Sequence, residues 1–148
     1  IICSSLCEKI NNYFNKIDIV LSPAIGGIVV GYEIGRQLQI ETIFAEKSEG
    51  KLRLRRDFEI AENSNVLIVE DVITTGKSVL ECLDIVKSNK ANLVAYACIV
   101  DRSKKDISIK NKIISQMQFE IEVFLESKLP EDLKKIKSIK PGSRNLSK

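Results

Sequence analysis

The chain has 148 residues, 44% of them hydrophobic, and a formal net charge of +3. Its length and composition are typical of one globular domain, which we expect to span residues 1–148. The charge excess is too small to indicate nucleic-acid binding, and no apolar run reaches the roughly 20 residues that a membrane-spanning helix needs.

Helices and short strands are predicted to alternate along the chain. They are a helix over residues 1–16, a strand over 17–21 that ends in a loop at Ser22-Pro23, a helix over Gly26–Leu38, a strand over 41–45, a charged loop over 46–57, a strand over 65–69, a helix over Lys77–Ser88, strands over 92–100 and 119–125, and a short helix over 130–136. Residues 103–116 have the least structured pattern.

The strands are apolar on both faces instead of alternating, which is typical of strands buried on both sides. Together with the alternation of helix and strand, this predicts an α/β fold with a central, mainly parallel sheet flanked by helices.

The four cysteines, Cys3, Cys7, Cys82 and Cys98, lie in apolar surroundings and form no CxxC pair. A zinc site would need further ligands, and the chain has no histidine. We expect buried free thiols, which behave as small hydrophobes, and hence a reducing, cytoplasmic location.

The most informative segment is residues 66–78, where an apolar strand leads into two acids, a Thr-Thr-Gly turn and a helix. Thr74, Thr75 and Ser78 offer hydroxyls, and Gly76 lets the backbone approach a ligand closely. The free N–H groups at the start of the helix favour a phosphate. We expect this phosphate site at the carboxyl end of a parallel strand, where open α/β sheets bind ligands.

Glu70 and Asp71 stand at the predicted tip of that strand, where they can accept hydrogen bonds from vicinal hydroxyls. A ribose 5-phosphate would use both features, with its phosphate in the turn and its diol on the acids. Two other interpretations are a P-loop and an ordinary capped turn. A P-loop needs a glycine five residues before Gly76, where Asp71 stands.

Residues 70–78 resemble the phosphoribosyl diphosphate signature of the type I phosphoribosyltransferases. From Asp18 to the tail Lys140-Pro141-Gly142-Ser143-Arg144, the chain is similar in particular to the orotate phosphoribosyltransferases. This resemblance implies the type I phosphoribosyltransferase fold. It also implies transfer of ribose 5-phosphate from phosphoribosyl diphosphate to orotate, in de novo pyrimidine biosynthesis, with Mg²⁺ as cofactor and a homodimer as the assembly.

The resemblance further implies two segments that bind phosphoribosyl diphosphate. One is Glu70, Asp71, Val72, Ile73, Thr74, Thr75, Gly76, Lys77 and Ser78; the other is the diphosphate loop, residues 22–27, with Ala24, Ile25, Gly26 and Gly27. In the family this loop binds through backbone amides and often contains a non-proline cis bond. Orotate enzymes often have a lysine where Gly26 stands, so this chain lacks that cation.

Residues 46–57 hold Lys47, Lys51, Arg53, Arg55 and Arg56, and resemble the family's mobile catalytic loop, which closes over the diphosphate. The resemblance implies Lys47 and Lys51 as catalytic cations, with Arg53 as an alternative for Lys51. The family loop commonly carries a histidine, which is absent here. Without the resemblance, a solvated charged hairpin is the other interpretation.

Residues 101–102 resemble the family's Asp-Arg pair, which implies that Arg102 binds the carboxylate of orotate and that Thr74 contacts the pyrimidine. A surface arginine at a strand end is the alternative. Asp71 is implied to face the positive charge that develops on the ribose, and to be a protein ligand for a Mg²⁺ ion held mainly by the substrate.

Two other functions remain open at this point: phosphoribosyl transfer to a purine base, and a non-catalytic regulator that senses phosphoribosyl diphosphate on the same fold. The chain begins with Ile1 inside a helical pattern, and its one methionine is Met117. We therefore expect that the N-terminal segment with which the family covers the base is missing from this sequence.

Overall fold

The computed structural model describes residues 1–104, 109–122, 124–137 and 139. Its strands are β1 (Ile19–Pro23), β2 (Glu41–Ser48), β3 (Lys51–Leu54), β4 (Asn65–Ile73), β5 (Asn92–Asp101) and β6 (Ile113–Gln118). Its α-helices are α1 (Ile2–Asn11), α2 (Gly26–Leu38), α3 (Lys77–Ser88) and α4 (Glu131–Lys134).

These strands form one sheet in the order β3-β2-β1-β4-β5-β6. Strands β2 and β3 form an antiparallel hairpin, and every other neighbouring pair is parallel. The expected α/β fold, a mainly parallel sheet flanked by helices, is confirmed. Within the described residues, no helix is both long enough and apolar enough to cross a membrane.

Side chains from β1 and β4 enter two cores, one on each face of the sheet. Leu21 and Ile68 pack on the face that α3 covers, whereas Val20 and Leu67 pack on the face that α1 and α2 cover; all four are 0% exposed. Burial of one such side chain stabilises the fold by about 1.5–3 kcal/mol. This two-sided burial explains why the strands are uniformly apolar.

The carboxyl ends of β1 and β4 lie next to each other, because β1 pairs in parallel with β4 and Leu21 stands opposite Ile68. The diphosphate loop begins with Ser22 and Pro23, the last two residues of β1, and the acidic residues lie late in β4. The sheet therefore brings the two segments that were singled out from the sequence to one edge.

Several predicted boundaries need correction. Helix α1 ends at Asn11 instead of residue 16. Asn11 and Asn12 are both poor helix formers, and they interrupt the helix there. Strand β1 continues through Ser22 and Pro23. Strand β4 continues to Ile73, because Glu70 and Ile73 stand opposite Cys98 and Asp101 of β5, so the acids lie inside the strand and not at its tip.

Other predictions for the second half of the chain were wrong. Residues 103–116, judged the least structured, include the start of β6, which pairs with β5. The strand predicted over 119–125 is absent from the described residues of that segment, where Phe119, Ile121 and Leu125 are exposed. Residues 46–57 lie largely in the β2–β3 hairpin, so the charged hairpin, the alternative to a loop, describes their backbone.

Candidate active site

The acidic pair lies against the diphosphate loop. A Cβ atom placed on Gly26 would stand 2.5 Å from Asp71 Oδ2, and one on Gly27 would stand 3.1 Å from Glu70 Oε1. The carboxylates also accept backbone N–H groups of their own strand: Glu70 Oε1 from Asp71 at 3.1 Å, and Asp71 Oδ1 from Val72 at 2.8 Å. Both acids and the loop thus form one compact cluster.

The diphosphate loop offers backbone N–H groups to a ligand, and its exposed side chain at Ile25 is apolar. The Ala24–Ile25 peptide bond is cis, as the resemblance led us to expect. The Ala24 N–H donates to Ala45 O of β2 at 2.7 Å, which ties the loop to its neighbouring strand. Helix α2 begins at Gly26, and among the described residues no side chain caps it. Its first N–H groups are therefore available to an anion.

The phosphate cradle lies on the other side of the acids, in the turn between β4 and α3. Gly76 has a φ of 75° in the left-handed region, which glycine adopts without a steric cost. The turn encloses a cavity of about 50 Å³, lined by Glu70 and residues 72–79. The N-cap residue of α3, Gly76, makes no side-chain hydrogen bond, the Lys77 N–H lies at a long 3.5 Å from Thr75 Oγ1, and Thr74 and Thr75 are exposed beside the first turn. Such a helix start binds phosphate readily.

Glu70 is buried, with 8% of its surface exposed. Burial, followed by the side-chain hydrogen bond with Asp71 and the negative charge of that neighbour, raises the pKa of Glu70 to about 8. The pair therefore holds a proton at neutral pH in the ligand-free protein. A cation or a set of ribose hydroxyls placed at the pair would favour the ionised form.

The raised pKa makes folding depend on pH. Between about 4.5 and 8 the folded protein keeps a proton on Glu70 that the unfolded chain has lost. The free energy of unfolding is therefore expected to fall as the pH rises through this range. Urea unfolding at a series of pH values measures this, and Glu70→Gln should flatten the curve over that interval. An equally steep curve in the variant would assign the dependence to other groups.

Arg102 is anchored beside the cradle. Its backbone N–H donates to Ile73 O at 2.8 Å, immediately before Thr74. The neighbouring Asp101 is 6% exposed and accepts the Ser103 N–H at 2.8 Å, which fixes the turn that follows β5. The structure therefore places the two predicted base-binding residues, Thr74 and Arg102, on adjacent strand ends.

A cavity of about 530 Å³ opens next to Arg102. Its lining residues are Arg102, Ser103, Lys104, Glu120, Ile121, Glu122 and Phe124. Sequence reasoning missed the apolar part of this wall, Ile121 and Phe124, because it assigned both to a strand. The tail of the resemblance, residues 140–144, lies outside the described residues.

The cations of the hairpin lie further out. Lys47 is exposed on β2, opposite Leu52, and Lys51 is exposed on β3, the outermost strand. Arg53 pairs with Glu49 at 3.0 Å. Sheet pairing places β2 two strands from β4, so it does not bring Lys47 and Lys51 into the cluster of acids and loop.

Two larger cavities lie away from this cluster. One, about 590 Å³, is lined by the outer surface of α3 and the start of β5. The other, about 710 Å³, lies between the hairpin and α3. Neither cavity contains the acidic pair or the diphosphate loop. Convergent polar groups, rather than cavity size, therefore identify the site.

The described residues contain no group of three His, Cys, Asp or Glu side chains placed to hold a metal ion. Glu70 and Asp71 nevertheless offer hard carboxylate oxygens beside two anion-binding backbone segments. Mg²⁺ is commonly held by one or two carboxylates together with substrate phosphates and water. The donor set therefore fits a Mg²⁺ ion that arrives with a phosphorylated ligand.

Comparison with known proteins agrees with this geometry. A model of the phosphoribosyl transferase domain matches residues 1–127. The orotate phosphoribosyltransferase of Brucella anthropi is 40% identical over 146 residues, which are 98% of this chain and 76% of that protein.

Solved structures share the fold at lower identity. The adenine phosphoribosyltransferase of Thermoanaerobacter pseudethanolicus aligns with a TM-score of 0.70 and 18% identity, over 80% of this chain and 78% of that one. The purine phosphoribosyltransferase of Pyrococcus horikoshii aligns with a TM-score of 0.64 and 22% identity, over 80% and 81%. At these identities the likeness shows the fold and carries no information on the base.

Proposed function

The chain belongs to the orotate phosphoribosyltransferase family, and we propose that it transfers the phosphoribosyl group of phosphoribosyl diphosphate to orotate, giving orotidine 5′-phosphate and diphosphate. One structural observation supports this proposal most directly. The acidic pair lies between two uncapped helix starts, with Arg102 anchored beside one of them.

The substrate's three polar parts match three parts of the site. The 5′-phosphate would bind in the turn from Thr74 to Ser78, on the first N–H groups of α3. The ribose diol would bind Glu70 and Asp71, and the diphosphate the bare loop at Gly26 and Gly27. The intervening residues Val72 and Ile73 would contribute backbone, and Lys77 the first N–H of the helix.

The reaction is a displacement at the anomeric carbon. The bond between the anomeric carbon and the diphosphate oxygen breaks, and the ribose ring carries positive charge until N1 of orotate forms the new bond. N1 releases its proton as that bond forms. The Asp71 carboxylate would face that charge, while the loop amides hold the leaving group. Glu70 and Asp71 would hold a Mg²⁺ ion that arrives with the substrate, and the ion would supply further positive charge to the leaving group.

Orotate differs from the purine bases by its carboxylate, and Arg102 would recognise that group. A planar guanidinium pairs bidentately with a carboxylate, a geometry that lysine does not reproduce. Thr74 would contact the pyrimidine from the neighbouring strand end. The exposed lysines of the hairpin, Lys47 and Lys51, would approach the diphosphate when the hairpin closes over the site.

The proposed assembly is a homodimer in which α2 contributes an apolar face. Ile25, Val29 and Tyr32 recur at helical spacing and are 85%, 75% and 62% exposed. An exposed apolar stripe of this kind marks an interaction surface. Because this stripe begins at the diphosphate loop, a second copy of the chain bound to it would lie next to the active site.

Val29→Glu is expected to convert this dimer to a monomer, because it would bury an unpaired carboxylate in the interface. Sedimentation velocity at several protein concentrations measures the change. Lys87→Glu, at an exposed position of α3 on the opposite face of the sheet, is the matched control and should leave the dimer intact. An unchanged sedimentation coefficient for Val29→Glu would exclude this face.

The proposed location is the cytoplasm. All four cysteines are free, and Cys7, Cys82 and Cys98 are buried. Burial raises the pKa of the Cys98 thiol to about 12, so the thiol stays protonated at neutral pH. Thiols of this kind are typical of a reducing compartment.

Release of diphosphate tests the activity. The purified chain is mixed with phosphoribosyl diphosphate and orotate, with and without Mg²⁺, and diphosphate is followed by a coupled diphosphatase. The proposal predicts release that requires both orotate and Mg²⁺. Binding of phosphoribosyl diphosphate without any release would instead indicate a non-catalytic regulator, and release with a purine base alone would indicate a purine enzyme.

A further inference from the structure

The tip of the β2–β3 hairpin, residues 46–53, extends beyond the body of the sheet. Strand β1 pairs with β2 only as far as Pro23, which stands opposite Ala45. Within the described part of the chain, the strand residues of the tip pair only with one another, as Lys47 does with Leu52. The sheet alone therefore does not fix where the tip lies relative to the active site.

Helix α3 supports the tip instead. The Leu52 N–H donates to Glu81 Oε2 at 3.0 Å, which joins β3 to α3. The Leu52 side chain is 6% exposed and lies in the same buried cluster as Val79 and Cys82 of that helix. The tip is thus held to α3 by a hydrogen bond to a carboxylate and by a buried side chain.

The helix that holds the tip also begins at the phosphate cradle. Glu81 lies one turn after Lys77, the first residue of α3. Lys77 lines the cavity of about 50 Å³ in the cradle and also the cavity of about 710 Å³ between the hairpin and α3, which Glu81 lines as well. The first two turns of α3 therefore form a wall that the cradle and the hairpin share.

The start of α3 is the part of this wall that a bound anion would stabilise. Its N-cap residue, Gly76, has no side chain with which to cap the helix. An anion at this position would accept hydrogen bonds from the free N–H groups and order the first turn. That order extends to the next turn, because in an α-helix the N–H of residue 81 donates to the carbonyl of residue 77.

We propose that Glu81 is a positioning residue that couples the hairpin to the phosphate cradle. A 5′-phosphate bound at the start of α3 stabilises the first two turns of the helix, and Glu81 transmits this order to the tip through the Leu52 N–H. The inference rests on the proposed function in that the 5′-phosphate of the substrate occupies the cradle. A tip that is already ordered loses less conformational entropy when it later closes over the site.

Hydrogen exchange of the backbone amides, followed by NMR with ribose 5-phosphate as the probe, tests the coupling without turnover. Ribose 5-phosphate has the phosphate for the cradle but no diphosphate. In the unmodified chain it should protect the start of α3 and slow exchange of the Leu52 amide about 10-fold, the lower end of the effect of a hydrogen bond to a charged group. In Glu81→Ala, the start of α3 should still be protected, whereas Leu52 should exchange equally fast with and without the probe.

Three further variants separate the hydrogen bond from the charge. Asp84→Ala is the matched control, because Asp84 is an exposed carboxylate of α3 that lines the same cavity and, in the described part of the chain, makes no hydrogen bond to the hairpin. It should keep the coupling. Glu81→Gln keeps an oxygen that reaches the Leu52 N–H and should retain most of the protection. Glu81→Asp keeps the charge but is one methylene too short, so it should lose the protection, and it replaces Glu81→Ala if that variant unfolds.

The possible results distinguish the coupling from the proposed function. If the probe protects the start of α3 in the unmodified chain but leaves Leu52 unchanged, the coupling is wrong and the phosphate site stands. Equal protection of Leu52 in the unmodified chain and in Glu81→Ala would show that Glu81 is not the link. If the start of α3 itself gains no protection, both the coupling and the proposed phosphate site are wrong.

Steady-state kinetics gives a second readout that a merely structural role would not produce. Glu81→Ala should raise the KM for phosphoribosyl diphosphate about 10-fold and leave the KM for orotate unchanged, because only the first substrate occupies the cradle. Glu81→Gln should restore most of the loss. An equal rise in both KM values would indicate a general loosening of the fold and would contradict the positioning role.

Discussion

Arg102→Ala is expected to lower kcat/KM for orotate by roughly 100–1,000-fold. The change removes two charge-assisted hydrogen bonds to the substrate carboxylate and leaves that carboxylate without a partner in the site. The backbone contact from Arg102 to Ile73 is retained, so the strand ends should keep their positions. Steady-state kinetics with orotate as the varied substrate measures the loss.

The matched controls for this variant test the nature of the contact. Arg102→Lys keeps the charge but loses the bidentate fork, and should recover only part of the lost activity. Arg36→Ala removes an exposed arginine far from the site and should change nothing. An Arg102→Ala variant that keeps full activity with orotate would assign this arginine to the surface.

Gly26→Ala is expected to lower kcat/KM for phosphoribosyl diphosphate by about 100-fold or more. The new methyl group would stand 2.5 Å from Asp71 Oδ2, so either the carboxylate or the loop must shift. A shift of about 1 Å in a group that orients the reacting centre can cost that much in rate. Gly26 is exposed and opens a helix, so the thermal unfolding temperature should change little.

A double-mutant cycle identifies the cause of the Gly26 effect. If the methyl group acts by displacing Asp71, Gly26→Ala should cost little further activity once Asp71→Ala is present. Fully additive losses would show that the alanine acts on the loop itself, for instance by blocking its amides. Both variants are compared by the same steady-state assay.

Helices and strands could be predicted from the sequence where neighbouring residues in the chain mark both of their ends. Helices α2 and α3 begin at Gly26 and Lys77 and end at Leu38 and Ser88, as predicted, because periodic apolar positions and turn residues mark both ends. The extension of β4 to Ile73 was missed, since it depends on pairing with β5, which is distant in sequence.

The last strand was misplaced for a related reason. Residues 119–125 alternate between apolar and other side chains, a pattern that favours a strand, but the described part of that segment forms no strand, although the Phe119 N–H still donates to Asp101 O of β5 at 2.9 Å. Strand β6 has a poorer pattern and forms because β5 offers it an edge. Alternation indicates a strand only where a sheet edge is available.

The candidate site was predictable in its parts but not in its packing. The two acids, the turn from Thr74 to Gly76 and the diphosphate loop were all singled out from the sequence. That Gly26 is bare because Asp71 occupies the space above it could be learned only from the fold. The same holds for the pairing of Arg55 and Arg56 with Glu46, which depends on how the hairpin turns back.

The choice of base is the central claim, and a comparison of bases tests it most directly. The rate of nucleotide formation is measured with orotate, adenine and hypoxanthine in turn, at saturating phosphoribosyl diphosphate and Mg²⁺. The account predicts that kcat/KM for orotate exceeds that for either purine by at least about 100-fold, the effect expected of a paired carboxylate. Efficient use of adenine or hypoxanthine, with little or no reaction of orotate, would contradict it.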